Sequence, residues 1–145
     1  LRSDLVFYLL KTLFEDTRSE SKIFLDTRIV RTAETLFRIR RLYRMLGIQD
    51  DERVVVRIRY TGLRGRMLTA AHPERAVPFE VLEHRICVEN EIEISIRERL
   101  GDIEPKLVDL VHAAVSELTV LFDYFEPSKE RVVQPLIDQF LKGQL

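Results

Sequence analysis

The sequence predicts an α+β domain of two layers: a mainly antiparallel sheet of three to four strands with about four helices packed on one face. Three observations predict it. Apolar residues recur at helical spacing towards both ends of the chain, they alternate with polar residues in the middle, and each alternating run is apolar on one side only. A sheet with one apolar face needs helices on that face alone, and short links between strands favour antiparallel pairing.

The first helix is expected over residues 3–16. Leu5, Val6, Leu9, Leu10, Leu13 and Phe14 fall at helical intervals after Ser3, a residue type suited to cap the helix, and Phe7 and Tyr8 widen the face. Polar residues 17–22 break the pattern, and the triplet Ile23, Phe24, Leu25 reads as a short edge strand. Asp26 or Thr27 then caps a second helix that ends at Met45 or Leu46, stopped by Gly47, with Ile29, Ala33, Leu36, Ile39, Tyr43 and Leu46 as its buried stripe.

After the acidic link Asp50, Asp51, Glu52 the period changes to two. Val54, Val56, Ile58 and Tyr60 share one face, and Arg53, Val55, Arg57 and Arg59 the other. Residues 62–65 (Gly-Leu-Arg-Gly) read as a hairpin turn that returns through residues 66–69, followed by a loop over residues 71–82 that holds Pro73 and Pro78. A long strand comes next, with Ile86, Val88, Asn90, Ile92, Ile94 and Ile96 inward and Arg85, Cys87, Glu89, Glu91, Glu93, Ser95 and Arg97 outward. Pro105 opens a third helix reaching Phe125, striped by Leu107, Leu110, Val111, Ala114, Leu118, Leu121 and Phe122. Pro127 and Ser128 restart the chain as a fourth, carried by Val132, Val133, Leu136, Ile137 and Phe140 and stopped near Gly143.

A chain of 145 residues is of single-domain size, and one domain over residues 1–145 is expected; 46% hydrophobic and 32% charged residues are the balance of a folded globule. The start at Leu1, without an initiator Met and inside an apolar pattern, leads us to expect a fragment of a longer chain. Twenty-three basic against 24 acidic side chains give a net charge of −1, so any nucleic-acid partner must be held by a local patch. No apolar run is long enough to span a bilayer, and no membrane partner is expected. The single cysteine, Cys87, excludes an intrachain disulfide and points to a reducing compartment, the cytoplasm.

Arginine outnumbers lysine 18 to 5, and its planar fork suits phosphate and carboxylate. Two clusters stand out: Arg38, Arg40, Arg41 and Arg44 on the second helix, and Arg53, Arg57, Arg59, Arg64 and Arg66 on the hairpin. They form either a phosphate-tracking surface or the cationic half of internal pairs, with Glu89, Glu91 and Glu93 as cross-strand partners of the hairpin and Glu34 as the nearest carboxylate on the helix. These glutamates lack the histidines or second ligand set that metal or acid–base sites bring. His72, His84 and His112 stand at no ligand or triad spacing, Cys87 has acidic neighbours that oppose a thiolate, and no glycine-rich phosphate loop or nucleophile elbow occurs. Catalytic, metal and cofactor-binding residues are therefore all expected to be none.

The run Val54-Val55-Val56-Arg57-Ile58-Arg59-Tyr60-Thr61-Gly62-Leu63-Arg64-Gly65-Arg66, with residues 94–125, resembles the C-terminal accessory region of bacterial and archaeal regulators that carry a Schlafen/AlbA-like, RecG-related DNA-binding part. The resemblance implies a module of a DNA-associated transcriptional regulator and assigns no residue a role. The leading expectation is a non-catalytic interaction domain that forms a homodimer, or docks on the missing part of its parent chain, through apolar helix faces. A second is direct nucleic-acid binding by Arg38, Arg40, Arg41, Arg44, Arg57, Arg59, Arg64 and Arg66. A third is a small-ligand sensor or enzyme with its pocket between the sheet and the Pro73 to Pro78 loop.

Overall fold

In the computed structural model, residues 6–18, 21–72, 86–124 and 126–144 are described. Strand β1 (Lys22–Phe24) runs directly into helix α1 (Leu25–Met45); strands β2 (Arg53–Tyr60), β3 (Met67–Thr69) and β4 (Ile92–Arg99) follow, then helices α2 (Leu107–Thr119) and α3 (Gln134–Leu141). The domain is α+β, and α2 packs on β4; alternate residues of the β2–β4 ribbon are exposed, so among the described residues helices meet one side of it. α1 lies against both α2 and α3. Ile29, Ala33 and Leu36 of α1, Val54 and Val56 of β2, Ile94 and Ile96 of β4, Val111 and Leu118 of α2 and Leu136 and Ile137 of α3 form the core.

Several details depart from the expected arrangement. Instead of one sheet of three to four strands and four helices, the described residues hold two two-stranded sheets and three α-helices. Residues 6–13 are not helical, and only a single 3₁₀ turn, Phe14–Thr17, forms where the first helix should end; Ser3 and Leu5 lie outside the described residues. The reason is reach. The Phe7 ring stands 5.9 Å from that of Tyr43, near the end of α1, while the Phe14 ring stands 6.4 Å from that of Phe24, just before its start. At about 1.5 Å of rise per residue, those two points on α1 are about 28 Å apart. Seven residues cover about 23 Å when extended but only about 10 Å as a helix, so an extended segment alone approaches both.

The hairpin is also rearranged. β2 does not return onto β3; it pairs antiparallel with β4 over all 8 residues, from Arg53 opposite Arg99 to Tyr60 opposite Ile92. Residues 62–65 bend the strand rather than reverse it, with Gly62 and Gly65 at φ of +70° and +80°, where side chains are strained. Past the bend the ladder continues. Leu63 N–H donates to the Asn90 carbonyl (2.9 Å), Gly65 N–H to that of Cys87 (2.8 Å), and Cys87 N–H to that of Arg66 (2.8 Å). β3 then pairs in parallel with β1, Ile23 opposite Leu68.

The long strand is shorter than its pattern and changes face. Ile94 and Ile96 point inward as expected, but before the bend at Asn90 it is Cys87 that is buried, while Ile86 and Val88 are exposed. Between Cys87 and Ile94 the parity shifts by one residue, which exchanges the two faces of a strand. α2 gives way at Thr119 to a 3₁₀ turn, Val120–Phe122, closed by Asp123 in the left-handed region (φ 57°). The predicted end at Phe125 lies outside the described residues. The last helix begins with a π turn, Lys129–Val133, whose first free donor, Arg131 N–H, is taken by the Ser128 hydroxyl at 3.1 Å.

Charged side chains hold the N-terminal turn in the interior. The Glu15 carboxylate, fully buried, accepts both arms of the Arg28 guanidinium, Nε on Oε1 and Nη2 on Oε2 at 3.0 Å each, and the Phe24 N–H at 3.0 Å. Removing one member of such a pair leaves a desolvated charge. We expect Arg28→Met to lower the unfolding free energy by roughly 3–5 kcal/mol, and Glu15→Leu combined with Arg28→Met to recover much of that loss; urea titrations of the two variants check both.

Candidate nucleic-acid interface

The α1 arginines sit on the outer turns of the helix, beside an open groove of about 480 Å³ lined by Phe37, Arg40, Arg41, Arg44, Met45 and Phe140. Most have internal partners. Arg38 pairs with Glu34, one turn earlier; Arg40 reaches Glu104 at 2.8 Å; Arg44 forks onto Asp50, Nε and Nη2 each at 3.2 Å from a carboxylate oxygen. Arg41 has no carboxylate within 4.0 Å among the described residues, and Arg40 Nε is buried without a hydrogen-bond partner. Phe37 and Phe140 stack with ring centres 5.7 Å apart and form the apolar floor.

The arginines beyond β1 are divided between surface and interior. Arg59 donates to Glu91 at 2.8 Å, and Arg57 stands 3.8 Å from Glu93, so two of the three expected glutamates meet arginines at one end of the ribbon, while Glu89 makes no ion pair among the described residues. The Glu91 hydrogen bond and charge hold the Arg59 guanidinium above its ordinary range. Arg64 Nε donates to the Val88 carbonyl at 3.2 Å. Arg66 is a structural residue: it is buried, and it donates to the Gly62 carbonyl (2.7 Å), the Lys22 carbonyl (3.3 Å) and Asp16 (2.6 Å), so it ties the strand bend to β1 and the N-terminal turn.

Sequence reasoning missed the cluster at the other end of the ribbon. Antiparallel register sets Arg53 directly opposite Arg99 and Arg97 opposite Val55, and all four are exposed on the side without helices. The one available signal was the alternation of Arg97 and Arg99, which becomes a cluster only when the partner strand is β2. Asp26, expected with Thr27 as a candidate cap of the second helix, does not cap it: Phe24 stands at the cap position, and Asp26 has a different role. It lies in the first turn of α1, fully buried, and its carboxylate accepts the N–H groups of Ala71 (2.8 Å) and His72 (3.1 Å), holding the start of the next loop. From residue 73 to residue 85 that loop, with Pro73, Pro78 and His84, lies outside the described residues, as does most of the pocket expected there.

The other chemistry-bearing residues have local roles. His112 Nε2 donates to the Pro127 carbonyl at 3.0 Å and links α2 to the last helix. Cys87 faces the interior, not the solvent, and its Sγ is 3.1 Å from the Glu89 carbonyl. Burial pushes the Cys87 thiol up, and burial does the same to the Tyr124 hydroxyl. Among the described residues no group of three His, Cys, Asp or Glu could hold a metal ion, and no helix is long and apolar enough to cross a membrane.

A raised thiol pKa means that the folded chain binds its proton more tightly than the unfolded chain, so stability is full below the ordinary thiol value and declines as pH rises through it. We expect the urea midpoint to fall above about pH 8.5, the ordinary thiol value, and more steeply beyond about pH 10, where tyrosine joins. Cys87→Ala should flatten the first part of that decline and leave the second. The two arginine sets separate in the same assay: Arg66→Ala should cost roughly 1–3 kcal/mol by stranding buried acceptors, and Arg41→Ala less than about 0.5 kcal/mol.

No family model, no curated protein and no solved structure matches this chain.

Proposed function

We propose that this chain is a non-catalytic interaction domain of a larger regulatory protein, and that it self-associates through its N-terminal apolar segment. One observation carries the reading. Residues 6–10, Val-Phe-Tyr-Leu-Leu, are all exposed, with Tyr8 at 94% and Leu10 at 98% of full accessibility. Single exposed apolar residues are ordinary, but five in succession are a contiguous patch of the kind that marks an interface. Contact between Phe7 and Tyr43 extends it onto the last turn of α1 and the residue after it, where Leu42 is exposed and so is Leu46, which the sequence placed in the buried stripe.

A second copy is the fitting partner. An extended segment beside an exposed helix end supplies both halves of an isologous contact, since two-fold symmetry brings the segment of each copy to the helix of the other. The regulatory setting rests on the resemblance of residues 54–66 and 94–125 to accessory regions of DNA-associated regulators.

Sedimentation velocity over a hundredfold range of concentration tests this. The expected result is a concentration-dependent dimer that Tyr8→Ser with Leu10→Ser converts to a monomer without lowering the urea midpoint measured at concentrations where the wild-type chain is itself monomeric. A chain that stays monomeric at the highest concentration, or a dimer indifferent to both substitutions, overturns the self-association.

A further inference from the structure

We propose that the helix-free face of the β2–β4 ribbon, at the end marked by Arg53, Arg97 and Arg99, binds the phosphate backbone of a nucleic acid. The proposal does not depend on self-association. Like charges directly opposite in an antiparallel pair destabilise the ladder, yet here Arg53 faces Arg99 with Arg97 two residues along the same face. At the other end of the same face the arginines have carboxylates, Arg59 with Glu91 and Arg57 with Glu93. At this end no carboxylate lies within 4.0 Å of the three guanidinium groups among the described residues.

The neighbouring acids are engaged elsewhere or carry no ion pair. Asp50 is forked by Arg44. Glu98, on the reverse side, holds Lys106 at 3.3 Å and feels the Arg53 charge more weakly; its carboxyl is held below the usual range chiefly by the Arg99 N–H. Asp51 and Glu52, exposed in the turn before β2, make no ion pair among the described residues and precede the paired residues of the ladder. Within the ladder, this end of the face therefore sets three arginines together with no carboxylate among them, a charge that an external anion would neutralise.

Chemistry selects the anion. Each group is an arginine, whose fork matches phosphate oxygens in pairs. Same-face residues along a strand recur at about 6.6 Å, close to two nucleotide rises of about 3.4 Å each. Exposed Val55 is the one apolar side chain among them, whereas protein interfaces are depleted of charge at their centre and built on apolar anchors. A row of like charge on an open ribbon fits a polyanion better than it fits a folded acidic protein.

Fluorescence anisotropy of the 145-residue chain with labelled single-stranded and duplex DNA, titrated from about 50 to 200 mM salt, tests the assignment. Binding should weaken steeply with salt. Arg97→Gln with Arg99→Gln should weaken it at least about tenfold and reduce the slope of log K on log salt by about 2, while Arg38→Gln with Arg41→Gln changes affinity less than about threefold. Because a like-charge opposition is removed, the ribbon variant should keep or raise the wild-type urea midpoint; should it unfold, Arg53→Gln alone must weaken binding and lower the slope by about 1. The proposal fails if no salt-dependent binding occurs, if the loss follows the helix variant instead, or if polyglutamate competes as well as DNA, which would make an acidic protein the partner.

Discussion

The buried fork between Glu15 and Arg28 is the constraint on which the rest of this fold depends. A carboxylate with no solvent contact is stable only when its lone pairs are met, and here two guanidinium arms and the Phe24 N–H meet them. Satisfying Glu15 places the turn that carries it against the junction of β1 and α1. Once that turn is placed, Asp16 stands within 2.6 Å of Arg66, and Arg66 in turn holds the bend before β3. Asp26, one residue into α1, grips the chain just after β3 through two N–H groups. Three carboxylates close to one another in sequence thus hold segments distant from one another, and the parallel β1–β3 pair lies among them.

That network explains which parts of the fold were legible. α1, α2 and the last helix follow from local apolar spacing, the glycine after α1 and the Ser128 cap, because those signals act over one or two turns. Alternation in residues 53–60 and 92–99 likewise marks strands and their inner faces. What local reasoning cannot supply is partnership. Residues 62–65 carry the glycines of a hairpin turn, and a turn was the natural reading, but a bend that keeps β2 paired with the chain after Cys87 uses the same residues. The N-terminal segment misleads for a related reason: its apolar spacing is helical, yet its path is set by Glu15 at one end and by the aromatic contact with Tyr43 at the other.

The candidate sites were legible to the same extent. Composition identified arginine as the residue to follow, and Glu91 and Glu93 did prove to be neighbours of Arg59 and Arg57. The sequence does not distinguish Arg66, buried with three acceptors, from Arg64 two residues away, which is exposed with one. Nor does it separate Arg28, an interior counterion, from Arg31 on the next turn. Alternation failed at Cys87 because one residue is inserted between two paired segments, and a parity shift leaves no mark in the residues on either side.

Near-neutral net charge hides a strong local asymmetry, and register creates it. The ribbon places arginines against glutamates where Arg59 and Arg57 approach Glu91 and Glu93, and arginine against arginine where Arg53 approaches Arg99. Sliding β4 by two residues would keep every apolar side chain inward while changing which charges meet, so burial alone does not select the observed pairing. Other contacts must, and two act at the charged end: Leu100 N–H donates to the Glu52 carbonyl and Gly101 N–H to that of Asp50, each at 2.9 Å. Gly101 permits the second because a Cβ there would stand 2.8 Å from that of Asp50. The backbone that locks the ribbon in register is therefore also what brings its unneutralised arginines together, so the positive charge at this end follows directly from how the two strands are held.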